Sequence, residues 1–246
     1  MIKLERGECP AELTDEVIAE LTELYKKDKE KDVWNNPLIK QPLKDALTRM
    51  SFGKCAYCEC KLNIESKDVT IDHFKPKITN EDIVVNWNNL FPACLRCNRQ
   101  KNRKADEIIN PCTLDPKEHL GVWHSNWYRL KEKTSIGKNT IRVTKLNDID
   151  RLIVSRTKVC DRLVDRLNEI WEDINEEGTR NKLIDRFENM LCECRRDTEY
   201  SAIKATKIIN HETYQKLKQK LLQEEKWNER LVELEEELNS IKLEIL

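Results

Sequence analysis

The chain has 246 residues, of which 39% are hydrophobic, 36% charged and only 5 glycine, a profile that favours helices over a sandwich or barrel. The formal net charge of −1 excludes a generic polyanion binder, and no stretch approaches the roughly 20 apolar residues of a membrane span. Ten cysteines and an opening, MIKLERGECPAELTDE, without an apolar run predict a reducing, cytoplasmic setting in which thiols hold metal rather than pair as disulfides.

Leu13, Val17, Leu21 and Leu24 recur at spacings of three and four and predict a helix over 10–29, with Thr14 or Asp15 as its cap. A second helix is predicted over 42–50, with Leu43, Ala46, Leu47 and Met50 on one face. Trp34 reads as a packing residue in the connection. Residues 1–50 are thus expected to form helices that buttress or cover the segment beginning at Ser51.

The most informative stretch runs from Cys55 to Lys104. Two C-x-x-C pairs, Cys55 with Cys58 and Cys94 with Cys97, stand in it. Each pair on a tight turn aims two thiolates at one ion, and two such turns make the tetrahedral four-thiolate site that zinc prefers. Cys60 competes with Cys58 as a ligand, but the Cys58 spacing matches the second pair. Cys112, Cys160, Cys192 and Cys194 fall outside this symmetric pattern and read as buried thiols. Between the pairs, Val69–Phe74 is β-branched and reads as a strand, with Asp72 and His73 at its end. Pro92 keeps 88–93 from being helical, and a helix is predicted from Leu95. That helix would put Asn98 and Lys101 on a common face. The run from Leu95 to Lys104 carries Arg96, Arg99, Lys101, Arg103 and Lys104 and no acid, a local basic patch balanced in the sum by an acidic C-terminal stretch. Strand, turn, strand and helix stapled by zinc make a ββα arrangement.

In this order CAYC, IDHFKPK, NWNNLFPAC and LRCNRQK resemble the zinc-knuckle, ββα-metal type of HNH endonuclease. The resemblance implies that His73 is the general base and that Asp72 binds a catalytic divalent ion. It implies that Asn89 steadies the loop carrying the base and that Asn98 is the second metal ligand, where histidine is common. The pattern is therefore H-N-N, and an amide oxygen suits a hard Mg2+ or Mn2+ ion. The chemistry is consistent with those roles. Neutral His73 can take a proton from water near pH 7, and a divalent ion can polarise a phosphate. Lys101, with Arg99 or Lys75, can neutralise neighbouring phosphates.

Beyond the motif, INPCTLDPKEHL is a proline-punctuated loop. Trp123, Trp127 and Tyr128 form an aromatic cluster expected to pack against the nuclease unit, and His119 and His124 read as structural or exposed. Segments 127–130 and 140–143 around the turn 135–139 suggest a small hairpin. From about Asp148 the pattern is helical: Leu152, Val159, Leu163, Leu167 and Ile170 mark one long helix. Gly178 and Thr179 break it, and Leu183–Leu191 and Ala202–Ile209 mark two more. A last helix carries Trp227, Leu231, Leu234, Leu238, Ile241 and Ile245, a heptad stripe able to dock on the body, on a partner or on a second copy. The fold class expected is mainly α with a small α+β core: N-terminal helices (1–50), a zinc-stapled nuclease core (51–112), a loop and hairpin packed on it (113–147) and a C-terminal helical region open to partner docking (148–246).

The order RGECPAEL, CAYCE, IDHFKPK, INPCTLDPKEHL and TIRVTKLND, leading into an arginine-rich helix, is similar to the HNH subunits of Septu anti-phage systems, PtuB, and their retron-associated relatives. This resemblance implies a DNA target and an ATPase partner of the PtuA type; the sequence has no Walker A motif of its own, so any ATP dependence must come from another chain. Two other readings compete: a stand-alone restriction-type HNH nuclease, and a zinc-stapled DNA- or protein-binding module that does not cut.

Overall fold

The computed structural model describes residues 1–63, 69–102, 104 and 106–246; Arg103 of the basic run lies outside the described residues. Thr14 caps the first helix, α1 (Asp15–Lys27), its hydroxyl accepting the Val17 N–H at 3.3 Å. Asp15 and Glu16 in its first turn and Lys26 and Lys27 in its last complement the helix dipole. A 3-10 turn, Val33–Asn35, leads to α2 (Lys40–Met50), which buries Leu43, Ala46, Leu47 and Met50. α2 starts two residues before Pro42 because a proline in the first turn removes no N–H that the helix needs. Gly53, at a φ of +68°, then reverses the chain and donates to Thr48 O at 2.8 Å.

β1 (Val69–His73) and β2 (Leu90–Cys94) form an antiparallel two-stranded ribbon in which Asp72 faces Phe91 and His73 faces Leu90. Pro92 is tolerated because a two-stranded ribbon leaves each strand one unpaired edge; its carbonyl accepts the Ala56 N–H at 2.9 Å, bringing the first cysteine turn against β2. α3 (Leu95–Lys101) starts directly at Cys94. The ββα order expected from the sequence is therefore present.

α4 (Pro116–His119) runs into β3 (Leu120–Trp123), and β3 pairs antiparallel with β4 (Asn126–Glu132). Here the sequence-based hairpin needs correction. β4 pairs backwards with β3, and 135–144 is helix α5 (Ser135–Thr144). Thr134 caps α5 by accepting the Gly137 N–H at 3.2 Å, and Gly137, Thr140, Val143 and Thr144 are buried at helical spacing. The β-branched content of TIRVT suggested a strand, but the cap and the buried face decide for helix. A Cβ on Gly137 would stand 2.0 Å from the His119 carbonyl oxygen, so only glycine lets α5 lie on α4.

The helical region begins with one π-helical turn, Ile149–Ile153, before α6 (Val154–Glu177), with Gly178 just beyond its end. α7 (Asn181–Cys192), α8 (Ser201–Ile209), α9 (Glu212–Gln223) and α10 (Glu229–Ile241) follow, and β5 (Glu244–Ile245) adds in parallel to β3. The single last helix expected over Trp227–Ile245 is thus shorter: Trp227 precedes it and Ile245 belongs to a strand. Its stripe, Leu231, Leu234, Leu238 and Ile241, is buried within the chain, where α10 packs on α7 and α8. That face is spent internally and is not open for self-association.

Polar contacts tie the halves together. Buried Lys54 donates to Glu59 at 3.2 Å, Ser201 Oγ at 3.0 Å and Arg196 O at 2.6 Å, while Ser201 donates to Glu59 at 2.6 Å. The Met1 amino group also sits on Glu59. Among the described residues no helix is long and apolar enough to cross a membrane.

Candidate active site and metal centre

Four thiols converge where the first cysteine turn meets the start of α3. The Sγ atoms of Cys55, Cys58, Cys94 and Cys97 all lie within 4.8 Å of one another, and all four residues are buried. Zinc–sulfur bonds of about 2.3 Å put tetrahedral sulfurs about 3.8 Å apart; Cys58 and Cys94 stand at 3.9 Å. None of the ten cysteines is in a disulfide. The four thiols can therefore hold a metal ion, and Cys60, although buried, is not in the group. The two turns approach because Cys55 N donates to Cys60 O at 2.9 Å, closing the first loop, and Cys94 Sγ accepts the Cys97 N–H at 3.5 Å, closing the second. Of the other thiols, Cys160 and Cys194 are buried, whereas Cys112 and Cys192 are half-buried. His119 and His124 stand apart from the cluster, with His119 Nδ1 engaged by Thr134 Oγ1 at 2.9 Å.

Asp72 and His73 end β1 at one side of an open cleft. The cleft, about 340 Å³, is lined by Tyr25, Lys29, Glu30, Asp72, His73, Pro76, Lys77, Ile78, Asn98, Arg99 and Asn102. His73 Nε2 lies 2.8 Å from Val84 O. A carbonyl can only accept, so Nε2 carries the proton and Nδ1 keeps its lone pair. Burial, with the charges of Lys77 and Lys101, pushes the imidazole pKa down to about 4 against the opposing pull of the Val84 carbonyl. The ring is neutral near pH 7 and able to accept a proton. Trp34 meets it edge-on with ring centroids 4.8 Å apart. The N-terminal segment therefore forms a wall of the cleft through Tyr25, Lys29 and Trp34.

Asn89 acts on the loop between β1 and β2. Its Oδ1 accepts the Lys75 N–H at 2.7 Å, and its Nδ2 donates to Lys75 O at 3.1 Å and Ile83 O at 3.3 Å. The loop closes just beyond His73 by these three bonds. Asn98 Nδ2 donates to Thr70 Oγ1 at 3.0 Å and Ile71 O at 3.4 Å, which leaves its Oδ1 as the remaining group in the cleft.

Asp72 is buried and bound from two sides. The Tyr57 hydroxyl donates to one carboxylate oxygen, and Lys101 Nζ lies 3.2 Å from each. Burial raises the Asp72 pKa, and Lys101 and the Tyr57 hydrogen bond oppose the rise. Lone pairs remain on the carboxylate, so Asp72 and Asn98 offer two hard oxygen donors to one cleft. That donor set fits Mg2+ or Mn2+.

Lys101 departs from the sequence reading. It is 1% exposed and bound to Asp72 and the His73 carbonyl, so it is not placed to neutralise a phosphate. Arg99 lines the cleft, whereas Lys75 is exposed on the loop beside it, near Lys26 and Asp82. Lys29 and Lys77 line the cleft together with His73. Sequence reasoning missed these two, together with Tyr57. The one available signal was Tyr57, a polar aromatic inside the cysteine turn; the others come from segments whose approach depends on the tertiary fold. The aromatic cluster also lies elsewhere than expected: Trp127 and Tyr128 sit under Lys207 of α8, and the Tyr128 hydroxyl donates to Asp161 of α6 at 2.6 Å.

Comparison with known proteins agrees with this arrangement. A family model described as HNH endonuclease matches residues 55–104. A Septu protein PtuB of Bacillus thuringiensis is 36% identical over 239 residues, spanning 93% of this chain and 90% of that protein. A second Septu protein PtuB, from Bacillus mycoides, is 32% identical over 140 residues, spanning 44% of this chain and 47% of that protein.

Proposed function

We propose that this chain, which belongs to the PtuB family of HNH endonucleases, hydrolyses DNA phosphodiester bonds as the nuclease of a cytoplasmic anti-phage system, together with an ATPase subunit of the PtuA type. The observation that carries the reading is the His73 pair: Nε2 held by Val84 O at 2.8 Å and the ring kept neutral by burial, beside Asp72 and Asn98 in one cleft.

His73 Nδ1 takes the proton of an attacking water as the oxygen closes on phosphorus. The Nε2–H bond to Val84 fixes the tautomer and orients the imidazolium that forms. Asn89 keeps the loop beyond the base at a set height, so the water and the phosphate meet in one geometry. Asp72 and Asn98 would hold Mg2+ or Mn2+, which when bound supplies Lewis acidity toward the phosphoryl and leaving oxygens. Tyr57 and Lys101 orient the Asp72 carboxylate. Lys29, Lys77 and Arg99, on the rim, screen the flanking phosphates of the bound strand. The four cysteines would hold zinc as a structural ion, tying the turn before β1 to the start of α3, the two segments beside Asp72 and Asn98.

The test is plasmid cleavage in Mg2+ by the chain with its ATPase partner, comparing wild type with His73→Ala. Loss of a general base costs about 10²–10⁴ in rate, and the variant should keep its zinc and its circular dichroism. Cleavage by His73→Ala at the wild-type rate would remove His73 from the base role.

A further inference from the structure

The mechanism leaves one charged side chain at the metal centre without a job. Arg151 lies in the π-helical turn Ile149–Ile153, outside the nuclease motif, yet its guanidinium reaches the thiols. Nη1 lies 3.5 Å from Cys97 Sγ and 3.8 Å from Cys94 Sγ. Nη2 points the other way, toward Thr144 O at 3.4 Å and Lys145 O at 3.3 Å, the carbonyls at the end of α5. The turn itself is pinned by Asp148, whose carboxylate accepts the Arg151 N–H at 2.9 Å and whose carbonyl accepts from both Leu152 and Ile153.

We propose that Arg151 is a positioning residue of the metal centre, holding two of its four sulfurs and offsetting their charge. The proposal rests on the reading of the four cysteines as a zinc site.

Four thiolates around a divalent ion carry a net charge of minus two, and a buried anion of that size is costly unless hydrogen-bonded. The guanidinium supplies a fixed positive charge and donors on two edges, so one planar group spans the sulfurs and the α5 carbonyls together. A lysine ammonium is a single point and cannot span both. The extra residue of the π-turn fits the same purpose, since such turns re-aim a side chain relative to a regular helix. Position matters as well. Cys60, Cys94, Arg96, Arg151, Ser155 and Tyr200 line an open cavity on this side of the cluster. Arg151 therefore stands with Cys94 at the cavity through which a chelator or proton would reach the second cysteine turn. Groups that hydrogen-bond metal ligands from outside typically contribute about 10- to 100-fold in metal affinity.

The experiment uses the full chain, wild type against Arg151→Gln and Arg151→Lys. Zinc release to a chromophoric chelator at neutral pH is followed in time, and the sulfur-to-metal charge-transfer bands of the Co2+-substituted proteins are recorded. We expect release from Arg151→Gln at least about tenfold faster than from wild type, with Arg151→Lys between the two. The charge-transfer bands should shift to longer wavelength as the sulfurs lose donors and become electron-richer, a change that loosened packing alone would not give. Arg151→Lys keeps the positive charge and provides the comparison should Arg151→Gln fold poorly. Equal release rates and unshifted bands in both variants would overturn the assignment while leaving the zinc site standing. A wild-type chain that carries no zinc and takes up no Co2+ would overturn the zinc reading itself, and with it this inference.

Discussion

The nuclease segment and the C-terminal helices are built on different terms. Between residues 54 and 101 the interior holds Lys54, Glu59, Asp72, His73, Asn89 and Lys101, each with named hydrogen-bond partners, and four converging thiols. From α6 to α10 the interior is mostly hydrocarbon: Leu163, Leu167, Ile170, Phe187, Leu217, Leu234 and Leu238 are buried along helix faces. One region is held by directed bonds that fail singly and abruptly, the other by area that is lost in increments. The proposed chemistry belongs to the first because a carboxylate and an imidazole acting together need fixed directions, which hydrocarbon packing does not supply.

Changes confined to one region should therefore leave the other standing. The largest effect is expected from Cys94→Ala. Structural zinc sites bind with roughly 10–16 kcal/mol, and a three-thiol remnant should lose the ion and unfold the nuclease segment while most helical signal persists. Zinc analysis and far-ultraviolet circular dichroism check this; about one zinc per chain in the variant would contradict it. Next comes Lys54→Met, which leaves Glu59 with a buried charge and one fewer partner across the junction to α8. Breaking a buried pair in this way costs roughly 3–5 kcal/mol, to be read as a lower urea midpoint with zinc content unchanged. The smallest is Leu238→Ala, a cavity in the helical interior costing about 2–5 kcal/mol. Its zinc content and intrinsic cleavage should match wild type, and a loss of zinc there would collapse the distinction between the regions.

The two regions were also legible from the sequence to different degrees. Helix faces such as Leu183–Leu191 declared themselves by periodicity, because burial on one face leaves its period in the chain. The cysteine turns declared themselves by spacing, because a shared metal ion tolerates few alternatives. The missed elements depended on partners far along the chain. TIRVT looked like a strand until Thr134 capped it and Gly137 nested on the His119 carbonyl. Lys101 looked like a phosphate contact because its helix is basic, but α3 packs beside β1 and the Asp72 carboxylate draws the lysine inward. Lys77 and Trp34 could not be placed at the base without the packing of 25–35 on the β1–β2 loop.

The Tyr57 hydroxyl on Asp72 has a consequence for how such proteins can change over generations. Tyr57, one of the two residues between Cys55 and Cys58, adds no thiol to the four-sulfur cluster, so a drift from Tyr57 to phenylalanine would leave the cysteines and their spacing intact. Only the Asp72 carboxylate would change, losing one of its two orienting partners and keeping Lys101. A lineage could in this way lose part of the carboxylate's positioning without any sign in its cysteine spacing, and cysteine turns of identical spacing are not interchangeable cassettes when one of them also carries a carboxylate's partner. When relatives are compared, the tyrosine inside the turn is therefore a letter to read together with the aspartate it touches.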